Sequence, residues 1–190
     1  MQTTNNFDAP HALVEFAETK HERYNKGAAD YSVTGLLKPV QQRRLQGQHF
    51  DELTEDIADS INLLFGEAIH YILEKYTKKG LTEQRLFMRV DGKEISGQFD
   101  NFSLATGTLT DYKSAKCSQY GLTQTDHEAQ LNIYAYLLLV NGYEVKKLQV
   151  VKIFKDFSKM SFSSNYPPAP WETTELELWE PLRTLDFIID

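Results

Sequence analysis

The sequence has little of what marks secreted, disulfide-stabilised or membrane-spanning proteins. It contains one cysteine, Cys117, which excludes an internal disulfide bond and a metal site built from several cysteines. The apolar run at residues 135–140 is far too short to cross a bilayer. The opening residues, MQTTNNFDAPH, contain neither a basic segment nor an apolar core, so no secretory signal is visible. We therefore expect a protein of the cytoplasm that does not act at a membrane.

The chain also lacks internal repeats, low-complexity tracts and linkers rich in glycine and serine. Its 190 residues, of which 41% are hydrophobic and 25% are charged, suit one folded domain with an ordinary core. Residues 1–30 are polar, with a short helix expected at 12–24, and the hydrophobic pattern becomes regular at Tyr31. We expect a polar, partly helical segment at 1–30 and a single domain at 31–190 that ends in a helix.

An excess of positive charge is absent as well, because the formal net charge is −7. That charge argues against a nucleic-acid partner at first sight. The acidic residues are concentrated, however, at 51–59 and after 172, whereas lysines and arginines cluster at 38–44 and 75–89. A basic groove between acidic flanks can bind phosphates, and scattered solvated charge is the equally simple alternative. Charge alone therefore does not decide whether the protein binds DNA.

The first half of the chain is predicted to be mainly helical. Ser32 can cap a helix, which Pro39 then divides. The strongest helix is predicted at 54–79, where apolar residues recur every three or four positions. Its buried stripe would consist of Ile57, Ile61, Leu64, Ala68, Ile72 and Tyr76.

The second half of the chain is predicted to form most of a sheet. Alternation of apolar and polar residues predicts strands at 84–90, 94–104 and 108–113, with Asp91 and Gly92 as a hairpin turn. A helix at 126–140, a strand at 144–154, an irregular stretch at 162–170 and a final helix at 175–189 follow. The order α-β-β-β-α-β predicts an α/β domain with a central mixed sheet flanked by helices.

Two carboxylates and a lysine fall on neighbouring predicted strands. Asp100 ends the stretch ISGQFD, and Asp111 and Lys113 lie in TLTDYKSAK. Side chains two apart share one face of a strand, so Asp111 and Lys113 point the same way. Two carboxylates can hold a hard divalent cation, and a lysine beside them can orient water and offset negative charge. The alternative for this pattern alone is a surface ion pair on an edge strand.

Further polar residues lie on the predicted helices at helical spacing. His70 follows Gly66 by four residues, and Tyr134 follows Gln130 by four. A lone histidine on a helix is more often a satisfied structural residue than a metal ligand. Gln130 and Tyr134 can contact a phosphate or can simply cover the core with polar ends. None of these features identifies a function by itself.

Taken in order, the stretches FGEAIH, ISGQFD, TDYKSAK and EAQLNIYAYLL resemble the motifs of RecB-type nucleases of the PD-(D/E)XK superfamily. That group carries a GxxxH helix, a GxxD strand, a DYK-type strand and a QxxxY helix. The stretch YSVTGLLKPVQQRRL also resembles the leading segment of stand-alone phage-encoded and mitochondrial exonucleases of the superfamily. The resemblance covers about residues 31–170 and implies a restriction-endonuclease-like core.

The resemblance implies roles for particular residues of this chain. The metal ligands would be His70, Asp100, Asp111 and the backbone carbonyl of Tyr112, with Mg²⁺ or Mn²⁺ as the ion. Asp100, Asp111 and Lys113 would be catalytic. The cysteines that bind an iron–sulfur cluster in some relatives are absent, so no cluster is expected. Residues expected to contact DNA are Gln130, Tyr134, Arg43 and Arg44, and Glu67 and Glu74 are candidates for supporting the metal site or for a plain surface role.

The expected function is that of a metal-dependent DNA exonuclease in recombination, repair or phage DNA metabolism. It would act on single- or double-stranded DNA ends in the cytoplasm of a bacterium or a phage-infected host, with any recombination or single-strand-binding partner unidentified. A structure-specific endonuclease would use the same site. A non-catalytic DNA-binding or decoy protein is the alternative that the net charge suggests.

Overall fold

A mixed sheet with helices against it forms the centre of the protein. The structure is a computed structural model that describes residues 2–23, 27–77, 80–122, 125–161 and 165–190, without the side chains of 21–23. Its helices are α1 His11–Arg23, α2 Val33–Leu36, α3 Val40–Gln48, α4 Ile61–Tyr76, α5 Thr125–Val140 and α6 Pro181–Ile189. Its strands are β1 Gln2–Thr4, β2 Tyr31–Ser32, β3 Thr54–Asp56, β4 Leu81–Val90, β5 Lys93–Ser103, β6 Thr108–Ala115, β7 Lys147–Phe154 and β8 Trp171–Leu176.

The predicted order of core elements is found in α4, β4, β5, β6, α5 and β7. β4 and β5 form an antiparallel hairpin whose turn consists of Asp91 (φ 47°) and Gly92 (φ 73°). Positive φ at both turn residues matches the right-handed twist of the strands, as the sequence predicts. β6 and β7 pair in parallel, and β8 adds an antiparallel edge to β7.

The core lies mainly between the sheet and α5. Eight residues of α5 are buried, including Leu131, Ile133 and Leu137, and they pack with Phe99, Leu109 and other residues from the strands. The burial of α5 does not follow one amphipathic stripe, because the helix carries apolar side chains on all sides, as is usual for a helix inside a domain. Buried Asn132 donates to the carbonyl of Glu177 (2.9 Å) and accepts from the amide of Trp179 (2.7 Å), which ties the chain before α6 to α5.

Helix α4 differs from its prediction in start and in orientation. Residues 54–60 form β3 and a short 3₁₀ turn, so the α-helix begins at Ile61 instead of Thr54. Ile72 and Tyr76 of the expected buried stripe are 53% and 72% exposed. The orientation of His70 explains this exposure, because its imidazole faces carboxylates of the sheet. Residues two apart on a helix point about 200° from each other, so Ile72 must face away when His70 faces inward.

The C-terminal helix also differs from its prediction. The stretch expected to be helical from residue 175 begins instead with the end of β8, and α6 starts at Pro181. Alternating burial along β8 places Leu176 in the core, and Pro181 occupies the first helical position, where a missing amide is tolerated. Ser32 caps α2 as predicted, accepting from the amide of Gly35 (3.1 Å), and α3 follows Pro39.

The N-terminal segment contains α1 and the strand β1, which pairs in parallel with β3. Within the described residues, no helix is both long and apolar enough to span a membrane. Residues 162–164 of the expected irregular stretch lie outside the described part of the chain, as do Lys78 and Lys79 of the basic cluster.

Candidate active site

The candidate site lies in a gap along one edge of β5. β4 pairs with the other edge of β5 from Lys93 to Phe102, except at Asp100. On the open edge, β2 pairs with Ile95 and Ser96, and β6 pairs with residues 101–103. On this edge, no strand of the described residues lies beside the intervening positions 97–100. A cavity of about 270 Å³ lies here, and its lining includes residues 32–34 and 96–98 besides the side chains described below.

The two aspartates lie where β5 and β6 separate. The last paired residues are Asn101 and Thr110, and the next positions toward the gap carry Asp100 and Asp111. The amide of Tyr112 has left the ladder and donates instead to Oδ2 of Asp100 (2.6 Å). In an extended strand, the amide and carbonyl of one residue point to the same side, so the Tyr112 carbonyl also faces the gap.

Asp111 and Lys113 share one face of β6, as the two-residue spacing predicts. The ammonium of Lys113 donates to Oδ1 of Asp111 (3.1 Å) and lies 3.0 Å from Oδ2. Asp111 is 3% exposed, and among the described residues no group donates a hydrogen bond to its Oδ2. Burial raises the pKa of Asp111 to about 6, while the positive charge of Lys113 acts in the opposite direction.

His70 reaches the same cavity from α4. Its Nδ1 lies 3.3 Å from Oδ1 of Asp100 and 3.3 Å from Oε1 of Glu83. Hydrogen bonding to Asp100 and then to Glu83 raises the pKa of His70 to about 10, although partial burial opposes this shift. Ligand atoms of His70, Glu83 and Asp100 lie within 4.8 Å of one another, so this trio can hold one metal ion.

Gln130 and Tyr134 close the cavity on the α5 side. Gln130 donates to the hydroxyl of Tyr134 (3.3 Å) and accepts from Lys113 (3.5 Å). Tyr134 is 5% exposed, and burial raises the pKa of its hydroxyl strongly. Gly97 permits this packing, because a Cβ there would lie 2.7 Å from the Tyr134 ring and 2.8 Å from Val33.

Other expected site residues do not line this cavity. Glu67 and Glu74 are exposed on α4 and are absent from its lining. Arg43 and Arg44 lie on α3, and the guanidinium of Arg43 stacks over Tyr31, 5.7 Å from the ring centroid. Tyr31 directly precedes the lining residue Ser32, so Arg43 is held near the cavity without forming its wall.

Two charged residues of the lining, Glu83 and Arg85, were not among the expected site residues. The sequence offered Glu67 and Glu74 as candidates to support the metal site, but the glutamate that contacts His70 is Glu83. Arg85 donates to Ser96 (3.1 Å) and to Gln98 (2.9 Å), which places a fixed positive charge in the cavity. The two residues lie two apart on β4, but the predicted strand began at Gln84, so the prediction did not place Glu83 on a common face with Arg85. Nothing in the sequence indicated that this face meets His70.

Comparisons with known proteins support the fold. No protein-family model and no curated protein sequence matches the chain. The crystal structure of SSO0001 is similar over 94% of this chain and 82% of that chain, with a TM-score of 0.66 and 19% sequence identity. A crystal structure of a phage related exonuclease from Haemophilus somnus 129PT aligns over 94% of this chain and 76% of that chain, at 12% identity. Its TM-score of 0.37 is too low to support any argument. The chain therefore shares its mixed α/β fold with SSO0001.

Proposed function

We propose that the protein is a divalent-metal-dependent DNA nuclease with a PD-(D/E)XK core of the RecB type. The observation that carries this proposal is the convergence of His70, Asp100, Asp111 and Lys113 on one cavity, at a gap between strands. These residues come from three separate elements, and the first and last of them are 43 positions apart in the sequence. A plain surface ion pair between Asp111 and Lys113 requires neither the burial of Asp111 nor the approach of His70.

The side chains fit a hard divalent cation such as Mg²⁺ or Mn²⁺. Carboxylate oxygens of Asp100 and Asp111, an imidazole nitrogen of His70 and the carbonyl of Tyr112 would hold it. Oδ2 of Asp111 supports this fit, because it is buried and its contact with the Lys113 ammonium (3.0 Å) is an ion pair outside hydrogen-bond geometry, so the oxygen keeps lone-pair capacity for a cation. When bound, the ion would polarise a phosphodiester and lower the pKa of its water.

The protein's own groups would position the phosphate and the water. The Lys113 ammonium is held between Asp111 and Gln130, where it can orient water and stabilise negative charge as it develops. Arg85, fixed by Ser96 and Gln98, adds a second positive charge against a phosphate oxygen. Gln130 and Tyr134 would contact the neighbouring part of the DNA backbone.

Within this proposal the enzyme is an exonuclease on single- or double-stranded DNA ends, acting in the cytoplasm in recombination, repair or phage DNA metabolism. Four DNA substrates test it: single- and double-stranded DNA, each as a linear form labelled at either end and as a circular form labelled internally, with Mg²⁺, Mn²⁺ or EDTA. Mononucleotide release from linear DNA alone supports the exonuclease. Cleavage of circular DNA would instead indicate an endonuclease. DNA binding without cleavage under any metal condition would indicate a non-catalytic DNA-binding or decoy protein.

A further inference from the structure

Glu83 lies in the cavity but has no role in the chemistry proposed above. It stands opposite Asp100 on the hairpin, because Thr82 pairs with Asn101 and Gln84 pairs with Phe99. The pairing omits this position, and Glu83 has a φ of +48°, a conformation that residues with a Cβ rarely adopt. The chain is therefore distorted at the point where Glu83 meets Asp100 and His70.

The contacts of Glu83 place its carboxylate among the proposed metal ligands. Oε1 lies 3.3 Å from Nδ1 of His70, and Oε2 accepts a hydrogen bond from Gln98 (2.8 Å). Gln98 is itself fixed by Arg85, so the carboxylate is held in one orientation. Asp111 supplies an independent observation that fits a cation in this cavity, since its buried Oδ2 has the ion-pair contact with Lys113 (3.0 Å) but accepts no hydrogen bond from a described residue.

A carboxylate beside a metal-binding histidine can act in two ways. It can orient the ring by accepting from the nitrogen that does not bind the metal, or it can bind the metal itself. Here Asp100 and Glu83 face the same nitrogen of His70, Nδ1, each at 3.3 Å. A carboxylate that only orients the ring would face the opposite nitrogen from Asp100. Glu83 therefore lies on the metal side of the imidazole.

We propose that Glu83 is a direct ligand of the divalent cation, beside His70 and Asp100. Three carboxylates and one imidazole then surround the cavity, a donor set that suits a hard ion such as Mn²⁺. This inference rests on the proposed function for the identity of the ion, but it concerns binding, which is measurable without DNA.

The test is a calorimetric titration of Mn²⁺ into the metal-free full-length protein. Glu83→Gln keeps the size of the side chain and its ability to accept from Gln98, but it removes the charge. We expect Glu83→Gln to weaken Mn²⁺ binding by about tenfold or more. Glu74→Gln, with the same chemical change on the exposed face of α4, is the matched control and should bind within about twofold of the wild type. Equal binding by the Glu83 variant would overturn the proposal.

A double variant separates a direct ligand from a residue that only orients His70. In a His70→Gln background, a direct ligand still contributes, so adding Glu83→Gln should weaken binding again by about tenfold. Loss of that second effect would show that Glu83 acts only through the ring, which also overturns the proposal. Glu83→Asn serves as a second substitution, because asparagine tolerates positive φ and so preserves the fold. It should weaken binding like Glu83→Gln.

The two proposals fail in different ways. If wild-type protein binds Mn²⁺ through Glu83 but cleaves no DNA, the proposed nuclease activity is contradicted and the proposed role of Glu83 as a metal ligand stands. If wild-type protein cleaves DNA but Glu83→Gln leaves Mn²⁺ binding unchanged, the proposed role of Glu83 is contradicted and the proposed nuclease activity stands. Absence of Mn²⁺ binding by the wild type contradicts both.

Discussion

At the scale of single residues, the burial of Asp111 determines what its substitution should do. A pKa raised from 3.8 to about 6 means that the folded state disfavours the charged carboxylate. Its protonated form therefore stabilises the fold at low pH, and this contribution is lost as pH rises through about 6. At neutral pH, Asp111→Asn removes a buried charge and should unfold at the same temperature as the wild type or higher.

The same substitution should abolish catalysis. Asp111→Asn and Lys113→Ala should each lower the rate of DNA cleavage by on the order of 10²–10³-fold, because each removes charge from the reacting centre. Thermal unfolding at neutral pH, measured beside cleavage, distinguishes this loss from misfolding. Near-normal cleavage by either folded variant would remove β6 from the active site.

His70 predicts a second pH dependence in the metal-free protein. Because Asp100 and Glu83 raise its pKa from 6.5 to about 10, the charged imidazole stabilises the fold below pH 6.5, and this contribution is lost as pH rises toward 10. A histidine that kept its ordinary pKa of about 6.5 in the folded state would give the free energy of unfolding no pH dependence. Denaturant unfolding in EDTA at about pH 7 and pH 9.5 measures it, with His70→Gln as the comparison. The wild type should lose more stability than the variant, and equal losses would contradict the raised pKa.

At the scale of elements, two motif glycines should behave in opposite ways. Gly97 on β5 packs beneath Tyr134 and Val33, so Gly97→Ala should destabilise the protein by about 1–3 kcal/mol through overpacking. A Cβ on Gly66 of α4 meets no atom within 4 Å, so Gly66→Ala should stabilise the helix by about 0.5–1 kcal/mol. Urea unfolding of both variants measures the difference. Equal effects would mean that the packing around Gly97 is not as described.

The elements also show where sequence patterns were sufficient. Strands β4 to β6 and helix α5 follow from alternation, turn residues and a long apolar run, which are local signals. The orientation of α4 could not be predicted from local signals, because the inward position of His70 depends on carboxylates from other elements. No strand was predicted at β8, and its last two residues, Glu175 and Leu176, were placed in a helix, because a short strand at a sheet edge depends on the neighbouring strand, here β7.

The site was predictable to the extent that its residues formed motifs. His70, Asp100, Asp111, Lys113, Gln130 and Tyr134 were all located from the sequence, and all line one cavity. Glu83 was missed, because it lies just before the predicted strand at 84–90, a single glutamate there has no motif, and its positive φ leaves no trace in the sequence. Its proposed role depends on Asp100, which lies opposite it on β5, and on His70, which approaches it from α4. Only the fold brings these three residues together.

At the scale of the whole molecule, the proposed nuclease would have to bind DNA through a restricted basic surface, because its net charge is −7. We expect Arg43 and Arg44 on α3 to contribute to it. Changing both to glutamate should weaken binding to all DNA sequences alike. It should also lower the slope of the logarithm of the binding constant against the logarithm of salt concentration (the salt slope) by about one unit for each lost phosphate contact. Affinity measured against salt concentration in Ca²⁺, which should fill the site without turnover, tests this.

The control for that measurement is a second double reversal away from α3. Lys146 and Lys147, at the start of β7, pair with Glu144 and Glu175 and do not line the cavity. Their reversal should leave the salt slope nearly unchanged. An equal loss of slope in the two double variants would mean that net charge, and not a particular surface, governs binding.

The most direct test of the proposed active site is the single-turnover rate of cleavage of linear, end-labelled DNA in Mn²⁺. Wild-type protein should cleave, and EDTA should stop it. Asp100→Asn, which removes the carboxylate shared by His70 and the Tyr112 amide, should be slower by on the order of 10²-fold or more, whereas Glu74→Gln should match the wild type. Cleavage by Asp100→Asn at the wild-type rate, or wild-type cleavage that persists in EDTA, would contradict a metal-dependent nuclease site in this cavity.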